Sequence, residues 1–255
     1  MKKIPKIIHY VWVGEKEKND LFYACLSSWK RHLSDYEIKE WNEKTFDVDN
    51  NYQVKKALQQ KNYAYASDII RVWALKEYGG IYFDTDLMVL KNLDHLLNYD
   101  MFLSYESKYW LGSAVIGSVK EHPVLNLIYQ RYDTKDKINF NTNPLTVHAY
   151  TAALRFLYKF KPNGKLQEFN NIITLPSEYF YPINYMTLKK EITEKTLGIH
   201  YYVGSWHTDK QLKGFNFAKG SRKILGKHIF SFFEKLVAIN YNRKLKKDFK
   251  RNINK

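Results

Sequence analysis

Between Ile7 and Val13 apolar residues run alternately with β-branched and aromatic neighbours around His9, and this pattern predicts a core strand. Helical spacing follows near Asp20–Leu33, a strand at Tyr36–Trp41 and a short helix around Gln53–Gln60. The clearest helix covers Ala64–Tyr78, where Ile69, Ile70, Trp73 and Leu75 recur at helical intervals and Gly79-Gly80 supplies the stop. Ile81–Phe83 opens a strand that runs into Asp84-Thr85-Asp86, followed by the apolar stretch Leu87–Leu90 and a strand at Met101–Tyr105. Farther on the pattern predicts helices near Val124–Tyr132 and Val147–Lys159, strands near Ile172–Leu175 and Gly198–Val203, and an amphipathic segment from Lys223 onward. Strands and helices alternate through the first half, so the expected class is α/β, a mixed Rossmann-like sheet with helices on both faces.

A chain of 255 residues with 45% hydrophobic content can bury one full core. The expected division is a main domain over 1–221 and a basic helical tail over 222–255. The formal charge of +15 would attract nucleic acid, anionic lipid or phosphorylated small molecules alike. Its placement narrows the choice: 222–255 holds eleven Lys/Arg against Glu234 and Asp248, a net of +9, so the excess belongs mostly to the tail. Around the tail's helical wheel Leu225, Ile229, Phe232, Phe233, Leu236 and Ile239 gather on one side, with Lys223, Lys227, Glu234 and Lys235 on the other. Such a helix either lies on an anionic membrane surface or packs its apolar stripe on the main domain. No segment has the apolar length to span a bilayer. The single cysteine, Cys25, cannot form an internal disulfide and no secretory signal is visible, so a cytoplasmic setting is expected, with peripheral attachment to the inner face of the cell membrane. Twenty-one tyrosines and six tryptophans suit carbohydrate or nucleotide binding, and equally suit an aromatic core.

The chemistry concentrates at Asp84 and Asp86. In a regular strand residues 82, 84 and 86 share parity, so both carboxylates would point to one side with Tyr82 behind them. Two anionic oxygen donors at that spacing suit a divalent cation, although a strand ending in a polar turn reads the same way. Asp68 and Arg71 share a helix face. The helix from them to Gly79 and the strand from Ile81 to Asp86 each span roughly 12–17 Å. If the two pack antiparallel, Asp68, Arg71, Asp84 and Asp86 meet at one end of the sheet. That constellation would receive a sugar and a diphosphate together; the bland alternative for Asp68 and Arg71 is a surface ion pair.

These residues resemble the family 32 glycosyltransferases and the catalytic domain of the clostridial glucosylating toxins. The resemblance is carried by Ile4-Pro5-Lys6-Ile7-Ile8-His9-Tyr10-Val11-Trp12-Val13-Gly14, by Tyr63-Ala64-Tyr65-Ala66-Ser67-Asp68-Ile69-Ile70-Arg71, and by Leu75-Lys76-Glu77-Tyr78-Gly79-Gly80-Ile81-Tyr82-Phe83-Asp84-Thr85-Asp86. Near the end, His200-Tyr201-Tyr202-Val203-Gly204-Ser205-Trp206 looks like that family's His-x-x-x-Gly-Ser-Trp element.

The resemblance implies a GT-A fold, a nucleotide-sugar donor and a Mn²⁺ or Mg²⁺ ion. It implies that Asp68, Arg71, Asp84 and Asp86 form the catalytic set, and that Asp84, Asp86 and His200 hold the metal, with His207 as the fallback ligand. Val11, Trp12, Tyr82, Ser205 and Trp206 would bind the donor, Trp12 by stacking on the nucleobase; apart from the resemblance, Lys210 and Lys213 in the segment after Trp206 could close over the phosphates or stand solvated. The resemblance also implies retention of anomeric configuration, with a glycan or lipid-linked oligosaccharide as acceptor and a role in capsular or surface polysaccharide synthesis. The chain departs from the pattern at Gly112 and Ser113, where many relatives carry an asparagine, and at Asn143-Pro144, which replaces a Gly-Pro.

Two other classes fit parts of the sequence. A strand ending in Asp-x-Asp also opens the haloacid-dehalogenase phosphatases, but there a Thr or Val follows where Met88 stands here. The basic charge would suit a nonenzymatic nucleic-acid-binding protein, which strongly salt-dependent DNA or RNA binding without sugar-nucleotide turnover would mark; no nucleic-acid partner is expected.

Overall fold

The computed structural model describes residues 3–132, 146–184, 189–203 and 234–251. In order they form β1 (Ile7–Val11), α1 (Asp20–His32), β2 (Glu37–Trp41), α2 (Tyr52–Gln59), α3 (Tyr63–Tyr78), β3 (Gly80–Phe83), β4 (Leu87–Val89), β5 (Met101–Ser107) and β6 (Trp110–Ser118). After these come α4 (Pro123–Tyr132), α5 (Thr146–Tyr158), β7 (Gln167–Phe169), β8 (Ile172–Leu175) and β9 (Gly198–His200). A last helix, α6, covers 234–251.

Seven strands make one mixed sheet in the order β2-β1-β3-β6-β5-β8-β7, and β4 pairs with β9 in a small second sheet. Parallel pairs (β1 with β2 and β3) adjoin an antiparallel one (β3 with β6), so the sheet is mixed as expected. One face is covered by α2 to α6, whose Ile69, Ile70, Leu125, Ile128, Leu245 and Phe249 share a core with Val11 and Leu103. The other face is covered by α1, whose Phe22, Cys25 and Trp29 pack against Ile8, Tyr10 and Phe83.

The central strand β6 has no counterpart among the expected elements. Its sequence, Trp110–Ser118, carries two glycines and two serines, which lower strand propensity locally. They are needed for close packing: a Cβ on Gly117 would lie 1.9 Å from the Phe102 ring and one on Gly112 2.1 Å from the Tyr181 hydroxyl oxygen.

The helix-to-strand reversal at Gly79-Gly80 sets up the site. Gly79 (φ 68°) donates its N–H to Leu75 O and closes α3. Gly80 (φ 106°) lets β3 start beside β1, where a Cβ would meet Ile7 O at 2.6 Å. His9 locks the reversal: its Nε2 is 2.7 Å from Gly79 O, and Trp41 Nε1 donates to its Nδ1 at 3.1 Å. The proton is therefore on Nε2, since only then are both contacts hydrogen bonds.

The tail's apolar residues are used differently from the expected stripe. The positions of α6 that pack are Ala238, Leu245 and Phe249, while Leu236 is 44% exposed. Tyr241 stacks on His148 of α5 with centroids 4.3 Å apart, and Arg131 of α4 pairs with Asp248 at 3.4 Å. The spacing that decides the docked face is the one that reaches α4 and α5, not the one with the largest side chains. Leu225, Ile229, Phe232 and Phe233, with the expected boundary at 221/222, lie outside the described residues.

Candidate active site

Asp84 and Asp86 stand at the carboxyl end of β3, in a different local conformation from the one expected. The strand ends at Phe83, and 84–86 form a turn closed by the Leu87 N–H on Asp84 O at 3.0 Å. Strand parity therefore does not aim the carboxylates. They are aimed by the groups that hold one oxygen of each.

Asp84 Oδ1 accepts from the Tyr82 hydroxyl at 2.9 Å and lies 3.1 Å from Arg71 Nη2, which leaves Oδ2 toward His200 Nε2 at 3.8 Å. Asp86 Oδ2 accepts from the Val203 N–H at 2.9 Å, which leaves Oδ1 facing the same His200 Nε2 at 3.2 Å. One ligand atom each from Asp84, Asp86 and His200 falls within 4.8 Å of the others. His200 arrives through β9, whose antiparallel register sets it opposite Leu87 at the start of β4. The Tyr201 N–H then donates to Asp86 O at 3.1 Å. β9 stops at His200, short of the expected Val203, so that 201–203 can wrap around Asp86. β4 itself is held to α1, with Trp29 Nε1 donating to Leu87 O at 2.7 Å and the Val89 N–H to Ser28 Oγ at 2.9 Å.

Arg71 is buried and fully engaged on one side. Besides Asp84 its Nη2 lies 3.3 Å from Asp68 Oδ1, its Nη1 donates to Ser113 O at 2.8 Å, and its guanidinium carbon sits 4.5 Å from the centre of the Tyr82 ring. Its Nε has no hydrogen-bond partner among the described residues. The expected convergence of Asp68, Arg71 and Asp84 is thus present, and Asp86 joins it through His200.

Burial works against the charged form of each ionisable group here, and the neighbours overrule it in two cases. Burial would lower the His200 pKa, but Asp86, Asp84 and Glu106 together raise it above 6.5. Burial would raise Asp86, but His200 and the Val203 N–H bring it below the usual carboxylate value. For Tyr82, burial dominates and pushes the phenol up, so it remains a hydrogen-bond donor to Asp84.

Val11 lies in the core, and only its main chain is left for a ligand. Trp12 is half-buried, its Nε1 donating to Lys16 O at 2.9 Å and its ring 5.4 Å from Phe22. Ser205, Trp206, His207, Lys210 and Lys213 lie outside the described residues. The structure adds groups that sequence reasoning did not single out. Glu106, near the end of β5, is held above the usual carboxyl range by burial and interacts with His200 and Asp84. Tyr181 meets the His200 ring near-perpendicularly with centroids 5.6 Å apart and receives the Ala114 N–H on its hydroxyl at 3.0 Å. Tyr202 lies 4.2 Å from His200, centroid to centroid. The only sequence signal for Glu106 is a carboxylate directly after the expected strand Met101–Tyr105, too common to stand out.

Residues 19–103 match the family described as a glycosyltransferase sugar-binding region containing a DXD motif, and Asp84-Thr85-Asp86 falls inside that match. The chain therefore contains a DXD-type glycosyltransferase region, carried on a mixed α/β sheet of the GT-A class with the motif at the end of β3. It is similar to lactosylceramide 4-alpha-galactosyltransferase of Homo sapiens, 29% identical over 170 residues that cover 62% of this chain and 45% of the relative. It is similar too to inositol phosphoceramide mannosyltransferase 3 of Schizosaccharomyces pombe, 32% identical over 127 residues, 48% of this chain and 35% of that one. The chain spans about half the length of the galactosyltransferases it matches, or less for the mannosyltransferase. Among solved structures, the PaToxG glycosyltransferase superimposes with a TM-score of 0.48 at 18% identity, covering 62% of this chain and 71% of that one.

Proposed function

We propose that this chain moves a sugar, with retention of configuration, from a UDP-sugar to a hydroxyl of a glycan or lipid-linked oligosaccharide, in surface or capsular polysaccharide synthesis on the cytoplasmic side of a membrane. The observation that carries the reading is the pinning of one oxygen of each carboxylate while the other faces His200. Two carboxylates turned toward one point repel each other unless a cation stands between them. Two hard oxygens and one imidazole suit Mn²⁺, or Mg²⁺ with more retained water, and three protein ligands leave positions for diphosphate oxygens. Such an ion supplies Lewis-acid stabilisation of the charge that grows on the departing diphosphate, worth several kcal/mol.

The chain's own residues do the rest. Arg71, held by Asp68 and Asp84, presents a fixed cation beside the donor sugar. Tyr82 and the Val203 N–H fix the ligand oxygens before the donor arrives, so little reorganisation is required at the moment of transfer. Trp12 stands at the end of β1, on the same sheet edge, for the nucleobase. The names of both relatives specify transfer to a ceramide lipid, which supports a lipid-linked acceptor.

The test is a screen of UDP- and GDP-sugars for Mn²⁺-dependent hydrolysis with wild-type protein and Asp86→Ala. A UDP-sugar should be turned over, and the variant should stay folded while losing at least about a hundredfold in turnover. Turnover that persists in the variant or with chelator would remove the proposal. Inversion seen by NMR in the transferred linkage would remove the retaining mechanism alone.

A further inference from the structure

Helix α6 presents its polar side as one charged ridge. At about 100° per residue, Arg243, Lys246, Lys247, Lys250 and Arg251 fall within less than half the circumference, opposite Ala238, Leu245 and Phe249. All five are exposed, and none has an acidic partner among the described residues. The helix's acids are off this face: Asp248 is taken by Arg131, and Glu234 stands at the first turn on the packing side. By angle Leu236 sits in the middle of the cationic arc, and Val237 lies about 40° outside it, each 44% exposed. Helix α6 is about 27 Å long for its 18 residues, and the five cations occupy roughly the last 12 Å of it.

We propose that this ridge seats the protein on an anionic bilayer, with α6 lying flat against the headgroups and Leu236 dipping between them. The chemistry favours lipid over nucleic acid. Three of the five cations are lysines, point charges without a planar fork for phosphate or base edges, and the face carries an aliphatic side chain where a base-stacking ring would be needed. The opposite side of α6 is already spent on the core, so the contact is electrostatic and superficial rather than insertion of an amphipathic stripe. No described helix is long and apolar enough to cross a membrane.

The seat also relates to the site. Tyr241 stacks on His148, which meets Trp110 edge-on with centroids 4.8 Å apart. Trp110 begins β6, the strand whose Ser113 carbonyl holds Arg71. Three strand residues separate the two, roughly 10 Å. A bilayer under α6 therefore lies beside the β5–β6 hairpin, where an acceptor carried on a lipid can approach. This deepens the proposed transfer reaction, although the seat itself does not depend on it.

The experiment is cosedimentation of the full chain with vesicles of phosphatidylglycerol and phosphatidylcholine, against phosphatidylcholine alone, for wild type and K246Q/K247Q/K250Q/R251Q. Each cation near an anionic surface contributes about fivefold in partition, so the fourfold variant should lose roughly two to three orders of magnitude. Wild-type binding should also vanish near 1 M salt, where the screening length is about 3 Å, a result that needs no variant. Donor hydrolysis in solution should be equal in both proteins, which separates this test from that of the transfer reaction. Equal sedimentation of the two proteins, or of anionic and neutral vesicles, would overturn the proposal. So would tighter binding of an oligonucleotide than of anionic vesicles, lost in the same variant, because it would assign the ridge to nucleic acid.

Discussion

Replacing Arg71 with Met removes one buried cation from four contacts while keeping an unbranched side chain of similar length. In the metal-free protein Asp68 and Asp84 then lose their shared counter-ion, Ser113 O loses its donor and the Tyr82 ring its cation. Removing one partner of a buried pair costs about 3–5 kcal/mol. Asp68 and Asp84 keep 14% and 24% of their side-chain exposure, which argues for the low end. An unsatisfied carbonyl adds about 1 kcal/mol or more. A total near 3–4 kcal/mol corresponds to a fall in Tm of roughly 10 °C for a chain of this size. The same variant measured with saturating Mn²⁺ should recover part of the loss, because Asp84 regains a cation on its other oxygen. R71K should fall between, since one compact ammonium keeps the charge but lacks the planar fork that sets Nη2 on the two carboxylates and Nη1 on Ser113 O. Urea unfolding in EDTA that leaves R71M within about 1 kcal/mol of wild type would refute the view that Arg71 neutralises this end of the sheet.

Metal binding must displace the proton that the carboxylates hold on His200, whose pKa is raised. Calorimetric Mn²⁺ affinity should therefore climb up to about tenfold per pH unit below that raised pKa and level off above it; a flat profile would argue against His200 as a ligand. Gly112→Ala puts a Cβ where the Tyr181 hydroxyl oxygen stands at 2.1 Å, and Tyr181 leans on His200. It should cost about 1–3 kcal/mol in thermal unfolding and weaken Mn²⁺ binding with it; unchanged affinity would uncouple the two. Burial holds His9, His122 and His148 each at about 4. The unfolded chain takes up these protons near 6.5, so stability is complete above that pH and declines toward pH 4, by at most about 1.4 kcal/mol per histidine per unit. His200 works in the opposite sense in the metal-free protein, because its stabilisation is full below about 6.5 and is lost as pH rises through its raised value. Urea titrations at pH 7 and pH 5 showing no net loss at the lower pH would contradict the balance in favour of the three buried rings.

Most elements were legible in the sequence because each is recorded in neighbouring residues. The periodicity of Ala64–Tyr78, the Gly79-Gly80 stop and the strand entering Asp84 all involve contacts within one or two turns of chain, and the structure has α3 and β3 there. The approach of Arg71 to Asp84 followed from lengths alone, since a helix and the strand after it have little choice but to pack back to back. The resemblance, not the pattern, named His200, because nothing local marks a histidine as the residue opposite Leu87.

Tertiary structure decided the rest. β6 was missed because its glycines and serines answer to Phe102 and Tyr181, which only the folded sheet brings near. The aim of the two carboxylates follows from a turn and from Val203 and Tyr82, so the parity argument reached two carboxylates that do converge, for a reason that does not hold. On α6 the wheel collected the largest apolar residues, whereas α4 and α5 select Ala238, Leu245 and Phe249 by position and leave Leu236 outside. A sequence states which faces are apolar; which of them becomes interior depends on the surfaces that the remainder of the chain presents, and that is a property of the packed molecule.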